Sequence, residues 1–92
     1  MSIYLIAFQM SHPERTQAFI NNIKAYGIWA RITDTTWCIK ASDKTTAEIR
    51  DSLNERFPLR NDEKLMVVNI TKSPWASYYL PKEVADWLKD DK

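Results

Sequence analysis

Glycine, cysteine and histidine are scarce in this chain, since each occurs once in 92 residues. A single cysteine, Cys38, allows neither an intramolecular disulfide nor a zinc site built from cysteines, and we expect it to be a small buried apolar residue. The one histidine, His12, lies at a predicted helix start, where an exposed histidine is ordinary, so no Ser-His-Asp or Cys-His site is indicated. The single glycine and the 45% content of hydrophobic residues indicate a compact globule without linkers.

The charges are almost balanced, with 13 Lys and Arg against 12 Asp and Glu. A net charge of +1 gives no overall excess of basic residues for binding nucleic acid, although it does not exclude a local basic patch. No apolar run approaches the length that spans a bilayer, and the start lacks a signal-peptide pattern, so we expect a cytoplasmic protein without a membrane partner. The length predicts one domain, residues 1–92, with a core thin enough that dimerisation would help it.

Hydrophobic periodicity predicts the order strand, helix, strand, strand, helix, strand and a short last helix. The predicted strands cover residues 3–10, 28–33, 36–41 and 64–71, the first helix residues 13–26, and the segment 73–92 an aromatic stretch and the last helix. With right-handed crossovers this order predicts an α+β, ferredoxin-like βαββαβ sandwich with an antiparallel sheet of order 4-1-3-2. We expect both helices on one face, and we expect the first and fourth strands to be parallel neighbours.

Helix-end signals support these bounds. Ser11 with Glu14, and Thr45 with Glu48, fit capping boxes, and Gly27 stands where a left-handed C-cap is needed. Pro58 closes the second helix. The apolar residues at helical spacing that we expect in the core are Phe19, Ile23, Leu53 and Phe57.

The second and third strands read as a β-hairpin around Asp34-Thr35. A loop of two or four residues pairs Ile32 with Trp37 and Ala30 with Ile39, and cross-strand partners share a face. This register predicts one wholly apolar face, and it places Trp29, Cys38 and Lys40 on the other.

That other face of the sheet is predicted to be too apolar to remain wet. Strand alternation puts Leu5, Ala7, Gln9 and Val67 there, beside Leu65, Asn69, Trp29 and Cys38. There are two alternatives for what covers this face: the chain's own segment 75–88, or a second subunit. We expect a homodimer with Leu5, Ala7, Gln9 and Val67, and also Trp29, near its interface.

Two aromatic groups are candidate binding surfaces. Trp29 beside Arg31 and Lys40 is the nearest approach to a base-stacking platform, and edge-strand packing explains it equally well. The late aromatic residues Trp75, Tyr78 and Tyr79 suit either a partner-binding patch or a lid over the chain's own sheet. The acidic residues Asp34, Asp62 and Glu63 lie in predicted turns, and no spacing among them guarantees a metal site.

Four stretches together resemble a family of short bacterial proteins labelled SinR-like, which look like relatives of the CRISPR-associated Cas2 proteins and the VapD toxins. They are residues 3–10, the Gly27-Ile28-Trp29 entry, residues 34–39 and Trp75. The resemblance implies a ferredoxin-like fold, a homodimer formed partly through the sheets, and an acidic metal ligand ending the first strand as Tyr-Asp.

This sequence has Phe8-Gln9 where the resemblance implies that metal ligand. The hairpin motif, Asp-Ser-Thr-Trp in the SinR-like group, stands here as Asp34-Thr35-Thr36-Trp37. The departure at Gln9 predicts no resident metal, the alternative being Mg²⁺ or Mn²⁺ held with the help of Asp34, Thr35 or Thr36.

Three functions follow from these residues. The first is a non-catalytic, dimeric Cas2-like protein that binds a protein or nucleic acid in a mobile-element, toxin–antitoxin or defence setting. The second is a metal-dependent endoribonuclease or endonuclease of the Cas2/VapD type. The third is a protein-interaction module that uses its C-terminal aromatic segment.

Overall fold

A computed structural model describes residues 1–90, so Asp91 and Lys92, at the end of the predicted C-terminal segment, lie outside the described residues. Four strands and three helices follow one another in the predicted order. They are β1 (Ser2–Gln9), α1 (Pro13–Lys24), β2 (Trp29–Thr33), β3 (Thr36–Ala41), α2 (Thr46–Arg56), β4 (Lys64–Asn69) and α3 (Lys82–Lys89). Within residues 1–90, no helix is long and apolar enough to cross a membrane.

The strands form one sheet in the order β2-β3-β1-β4, and every neighbouring pair is antiparallel. This confirms the α+β, ferredoxin-like fold with an added C-terminal helix. The expectation that β1 and β4 run parallel is wrong. The crossover through α2 makes β4 parallel to β3, and β3 is antiparallel to the β1 strand that lies between them.

The core lies between the sheet and the two helices α1 and α2. Alternate residues of β1 point into it, and they meet apolar side chains from β3 and from both helices. The buried members are Tyr4, Ile6, Phe8, Phe19, Ile23, Trp37, Ile39, Ile49 and Leu53. Phe57 is half-buried at its margin, with its ring centroid 5.9 Å from that of Phe19.

One of the two predicted capping boxes forms. The Glu48 N–H donates to Thr45 Oγ1 at 3.0 Å, and the Thr45 N–H donates to Glu48 Oε1 at 2.8 Å. The Ser11 capping box is wrong, because the N-cap of α1 is His12, which makes no side-chain cap. Gly27 has φ +92°, as a left-handed C-cap residue needs, although α1 itself ends at Lys24.

The predicted hairpin register is wrong by one residue on β2. Ile39 pairs with Trp29, and Cys38 with Ala30, while the ladder is irregular between Arg31 and Thr33. A single extra residue turns the preceding part of a strand over. Trp29 therefore lies on the helix face, with its ring centroid 5.3 Å from that of Trp37, and Ala30 lies on the other face.

The chain's own helix α3 covers half of the second sheet face. It lies against β2, and on that half of the face Ala30, Cys38 and Lys40, from β2 and β3, are buried. The Lys40 ammonium donates to the Asp90 carbonyl, and it stands 4.4 Å from the centroid of the Trp87 ring. The β1–β4 half of the same face has no such cover from the described residues.

Candidate functional site

Gln9 and the hairpin residues, where the resemblance implies a metal ligand, lie at one end of the sheet. Gln9 ends β1 and is exposed, and the neighbouring Phe8 N–H donates to the Thr35 carbonyl at 3.0 Å. Thr36 is the cross-strand partner of Ala7, which precedes Gln9 by two residues on β1. The hairpin turn with Asp34 therefore lies at the same end of the sheet as Gln9.

Lys64 is the cross-strand partner of Gln9, in the register that joins β1 to β4. Partners in a ladder share a face, so the Lys64 side chain leaves the sheet on the same side as the neutral Gln9 amide. Asp34, the nearest sequence candidate for a replacement ligand, is 86% exposed and lies 3.4 Å from an Arg31 nitrogen. Within residues 1–90, no three His, Cys, Asp or Glu side chains are grouped in a way that could hold a metal ion.

Glu63, directly before β4, is the one strongly perturbed carboxylate at this end, and its side chain is 0% exposed. Arg15 donates from Nε to Oε2 and from Nη2 to Oε1, each at 2.7 Å. The Ser11 N–H and Oγ donate to Oε2 at 3.0 Å, and the Arg60 N–H donates to Oε1 at 2.8 Å.

These donors hold the pKa of the Glu63 carboxyl well below its usual range, and the hydrogen bonds from Arg15 have the largest effect. They outweigh burial, which by itself would raise the pKa. Every contact is made to the ionised carboxylate within the protein itself. Glu63 therefore closes the end of the fold and is not available as a metal ligand.

An apolar strip remains uncovered on the second face, where β1 and β4 meet. Ladder partners place Leu5 beside Val68 and Ala7 beside Met66. The Met66 side chain is 64% exposed. Gln9 and Lys64 bound the strip at one end. We call Leu5, Ala7, Met66 and Val68 the open strip.

The prediction that Val67 faces this side is wrong, because Val67 packs against the core on the helix face. The prediction of a strand here is confirmed, but the residues predicted for the second face of the sheet lie on the helix face. Met66 and Val68 take the positions expected for Leu65 and Val67. Strand alternation alone cannot tell which set is outside when every residue from 65 to 68 is apolar.

Trp29, Arg31 and Lys40 do not lie together as the predicted stacking platform. Lys40 is buried on the second face with α3, whereas Trp29 lies at the opposite face. Lys24, which the sequence reading did not include, stands there instead, with its ammonium 4.9 Å from the centroid of the Trp29 ring. Only proximity in three dimensions links Lys24 to Trp29, since α1 and β2 are separate elements.

The late aromatic residues differ in how far they are exposed. Trp75 borders a small cleft with Ile3, Ile70 and Leu88, close to the face that α3 covers. Tyr78 and Tyr79 are 92% and 100% exposed, and their ring centroids lie 6.2 Å apart.

Searches against known proteins return no match to this chain, neither a family model nor a curated protein. The likeness to SinR-like and Cas2 proteins is therefore carried by the residues quoted for it alone.

Proposed function

We propose that this chain is a non-catalytic, homodimeric binding protein of the Cas2-like type, which acts on a protein or nucleic-acid partner in a mobile-element, toxin–antitoxin or defence setting. The observation that carries the proposal is the Gln9–Lys64 pair at the family's metal position. A carboxylate there would bring charge and a hard oxygen to Mg²⁺ or Mn²⁺. The neutral Gln9 amide brings no charge to attract such an ion, and the Lys64 side chain on the same face carries a positive charge that repels it.

Metal-ion catalysis depends on a firmly held cation that polarises a phosphoryl oxygen or activates water. Asp34 is exposed beside Arg31 and, within the described part of the chain, belongs to no group of acidic residues that could hold a metal ion, and Glu63 is held by Arg15 in the interior. The hydroxyls of Thr35 and Thr36 are weak substitutes for a carboxylate. These contacts favour binding, and not cleavage, as the function of this domain.

The open strip supports a dimer. Its four apolar residues lie together on a domain that has a thin core, and exposed apolar patches of this kind mark interaction sites. A second copy is the occupant that suits its border, because the Gln9 amide carries both a donor and an acceptor. Two such amides can hydrogen-bond to each other across a two-fold axis, which makes this border self-complementary, as an isologous interface must be.

Sedimentation equilibrium at micromolar concentration tests the dimer. We expect the unmodified protein to be dimeric and Met66→Glu to be monomeric, because a carboxylate in the apolar strip would lose its hydration on burial. The matched control is Tyr78→Glu, at an exposed residue outside the strip, which should remain dimeric. A monomeric unmodified protein would refute the proposal, and a dimer that only Tyr78→Glu dissociates would assign the interface to the aromatic segment.

A further inference from the structure

The outer edge of β2 carries main-chain groups that the sheet leaves unpaired. The Lys40 N–H donates to the Ile28 carbonyl at 3.0 Å, so the peptide groups of Ile28 point toward β3. Antiparallel strands alternate in this respect. The N–H and C=O groups of Trp29 and Arg31 therefore point away from β3, toward the outer edge of the sheet.

A groove runs between this edge and α3. It measures about 280 Å³ and is mainly apolar, with lining residues Trp29, Ala30, Arg31, Glu83, Val84 and Trp87. That volume is near the low end of small-molecule sites, which begin at roughly 300 Å³, and the groove is open along its length. Its shape suits one or two side chains of an extended chain better than an enclosed ligand.

The length of the usable edge separates a peptide from another sheet. The ladder becomes irregular between Arg31 and Thr33, so an added strand can pair only along the first residues of β2. A bulge of this kind is a device that discourages edge-to-edge association of whole sheets. A short edge beside an apolar groove favours a short segment that gains both main-chain and side-chain contacts.

We propose that the groove between β2 and α3 binds a short, extended peptide segment of a partner protein, which adds as a further strand beside Trp29 and Arg31. Main-chain hydrogen bonds to the unpaired edge provide affinity, and the groove selects side chains, as in β-strand addition. This site lies at the opposite edge of the sheet from the open strip, so it does not depend on dimerisation.

The lining defines the chemistry of the peptide. Side chains of an added strand alternate between the two sheet faces. Those on the α3 side meet Val84 and Trp87, so this position takes an aliphatic or aromatic residue. Arg31 and Glu83 in the lining carry opposite charges, so the groove has no net charge with which to select a charged peptide.

A random octapeptide library displayed on phage, selected on the full-length protein, is the probe. We expect enriched peptides with apolar residues at alternate positions and dissociation constants in the micromolar range. Amide hydrogen exchange is the decisive measurement. The Trp29 and Arg31 amides should gain protection when a synthetic copy of an enriched peptide is added, because only an added strand supplies them with acceptors.

Two matched comparisons separate groove binding from loss of folding. Val84→Glu should weaken binding by at least about tenfold, whereas Met66→Glu, outside the groove, should leave it unchanged. The second comparison leaves the protein unaltered. N-methylation of the peptide at the residues that face β2 should abolish binding, because it removes the main-chain donors and retains the side chains.

The proposal is overturned if no peptide is enriched above the level of unselected phage. It is also overturned if enriched peptides protect the Leu65 and Val67 amides of β4 instead, or if N-methylation leaves affinity unchanged. Because Met66→Glu is expected to dissociate the dimer, retained peptide binding by that variant distinguishes this site from the proposed dimer interface.

Discussion

Arg15 holds Glu63 through two parallel hydrogen bonds of 2.7 Å, and this pair joins the first turn of α1 to the residue before β4. The Arg15 guanidinium carbon also lies 4.4 Å from the centroid of the Phe57 ring. A bidentate pair of this kind fixes geometry as well as charge. It attaches the start of α1 to the end of the sheet at which Gln9 and Lys64 lie.

The Glu63 pair predicts a specific loss of stability in acid. Its folded-state pKa is depressed, so its contribution is complete above the pKa of an unfolded glutamate, about 4.3, and declines as the pH falls below that value. Denaturant unfolding should therefore show the free energy of unfolding falling between about pH 5 and about pH 3.

The comparison variants for this prediction are Glu63→Gln and Glu14→Gln. Glu63→Gln should be less stable than the unmodified protein at neutral pH and should lose less of its stability in acid, because it has no proton to gain. Glu14 is exposed, so its replacement should leave the acid profile unchanged. Identical profiles for Glu63→Gln and the unmodified protein would contradict the assignment.

Leu53 is predicted to be a main contributor to core stability. It is fully buried on α2, so Leu53→Ala should lower the free energy of unfolding by about 2–5 kcal/mol, through lost transfer free energy and the cavity left behind. Glu55→Ala, at an exposed residue of the same helix, should change it by no more than about 0.5 kcal/mol. Equal effects of the two substitutions would show that α2 is not packed on the core as described.

Removing the capping box is predicted to destabilise α2. Thr45→Ala should cost about 1 kcal/mol in chemical unfolding, because the Glu48 N–H loses its acceptor. Thr45→Ser retains the hydroxyl and should cost less than Thr45→Ala. Equal losses in the two variants would assign the effect to the Thr45 methyl group rather than to the cap.

The thiol of Cys38 should report on the docking of α3. Burial raises its pKa to about 12 and hides its side chain, so labelling by a disulfide reagent at neutral pH should be slow. Trp87→Ala removes the ring over Lys40 and should accelerate labelling by at least about tenfold, as local opening becomes easier. Tyr78→Ala is the control at an exposed residue, and unchanged labelling of Trp87→Ala would mean that α3 does not cover Cys38.

The unmodified protein should show no metal-dependent cleavage of RNA or DNA in Mg²⁺ or Mn²⁺. Gln9→Asp should restore little activity, because the new carboxylate would pair with Lys64, its cross-strand partner. The assay compares the two purified proteins with and without EDTA. Robust cleavage by the unmodified protein, abolished by EDTA and by Asp34→Ala, would reverse the prediction.

The candidate site was only partly readable from the sequence. The sequence identifies Gln9 near the end of the first strand, and it predicts the bounds of the third strand, Thr36–Ala41, correctly, although not the hairpin register. Lys64 beside Gln9 and Arg15 beside Glu63 join elements far apart in the chain, whereas Lys24 meets Trp29 across the turn between the consecutive elements α1 and β2. Such contacts depend on how the elements pack, which local periodicity does not specify.

The sequence by itself determined the element order, and with it the sheet order, because periods of two and 3.6 residues and the Thr45 cap are local signals. Only the tertiary structure decided which side of β2 and β4 faces the core. The irregularity after Arg31 adds one residue, and the run from Leu65 to Val68 is apolar on both sides. A period of two does not change when a strand is turned over, so the direction in which Trp29, Met66 and Val67 point had to be settled by packing against α1, α2 and α3.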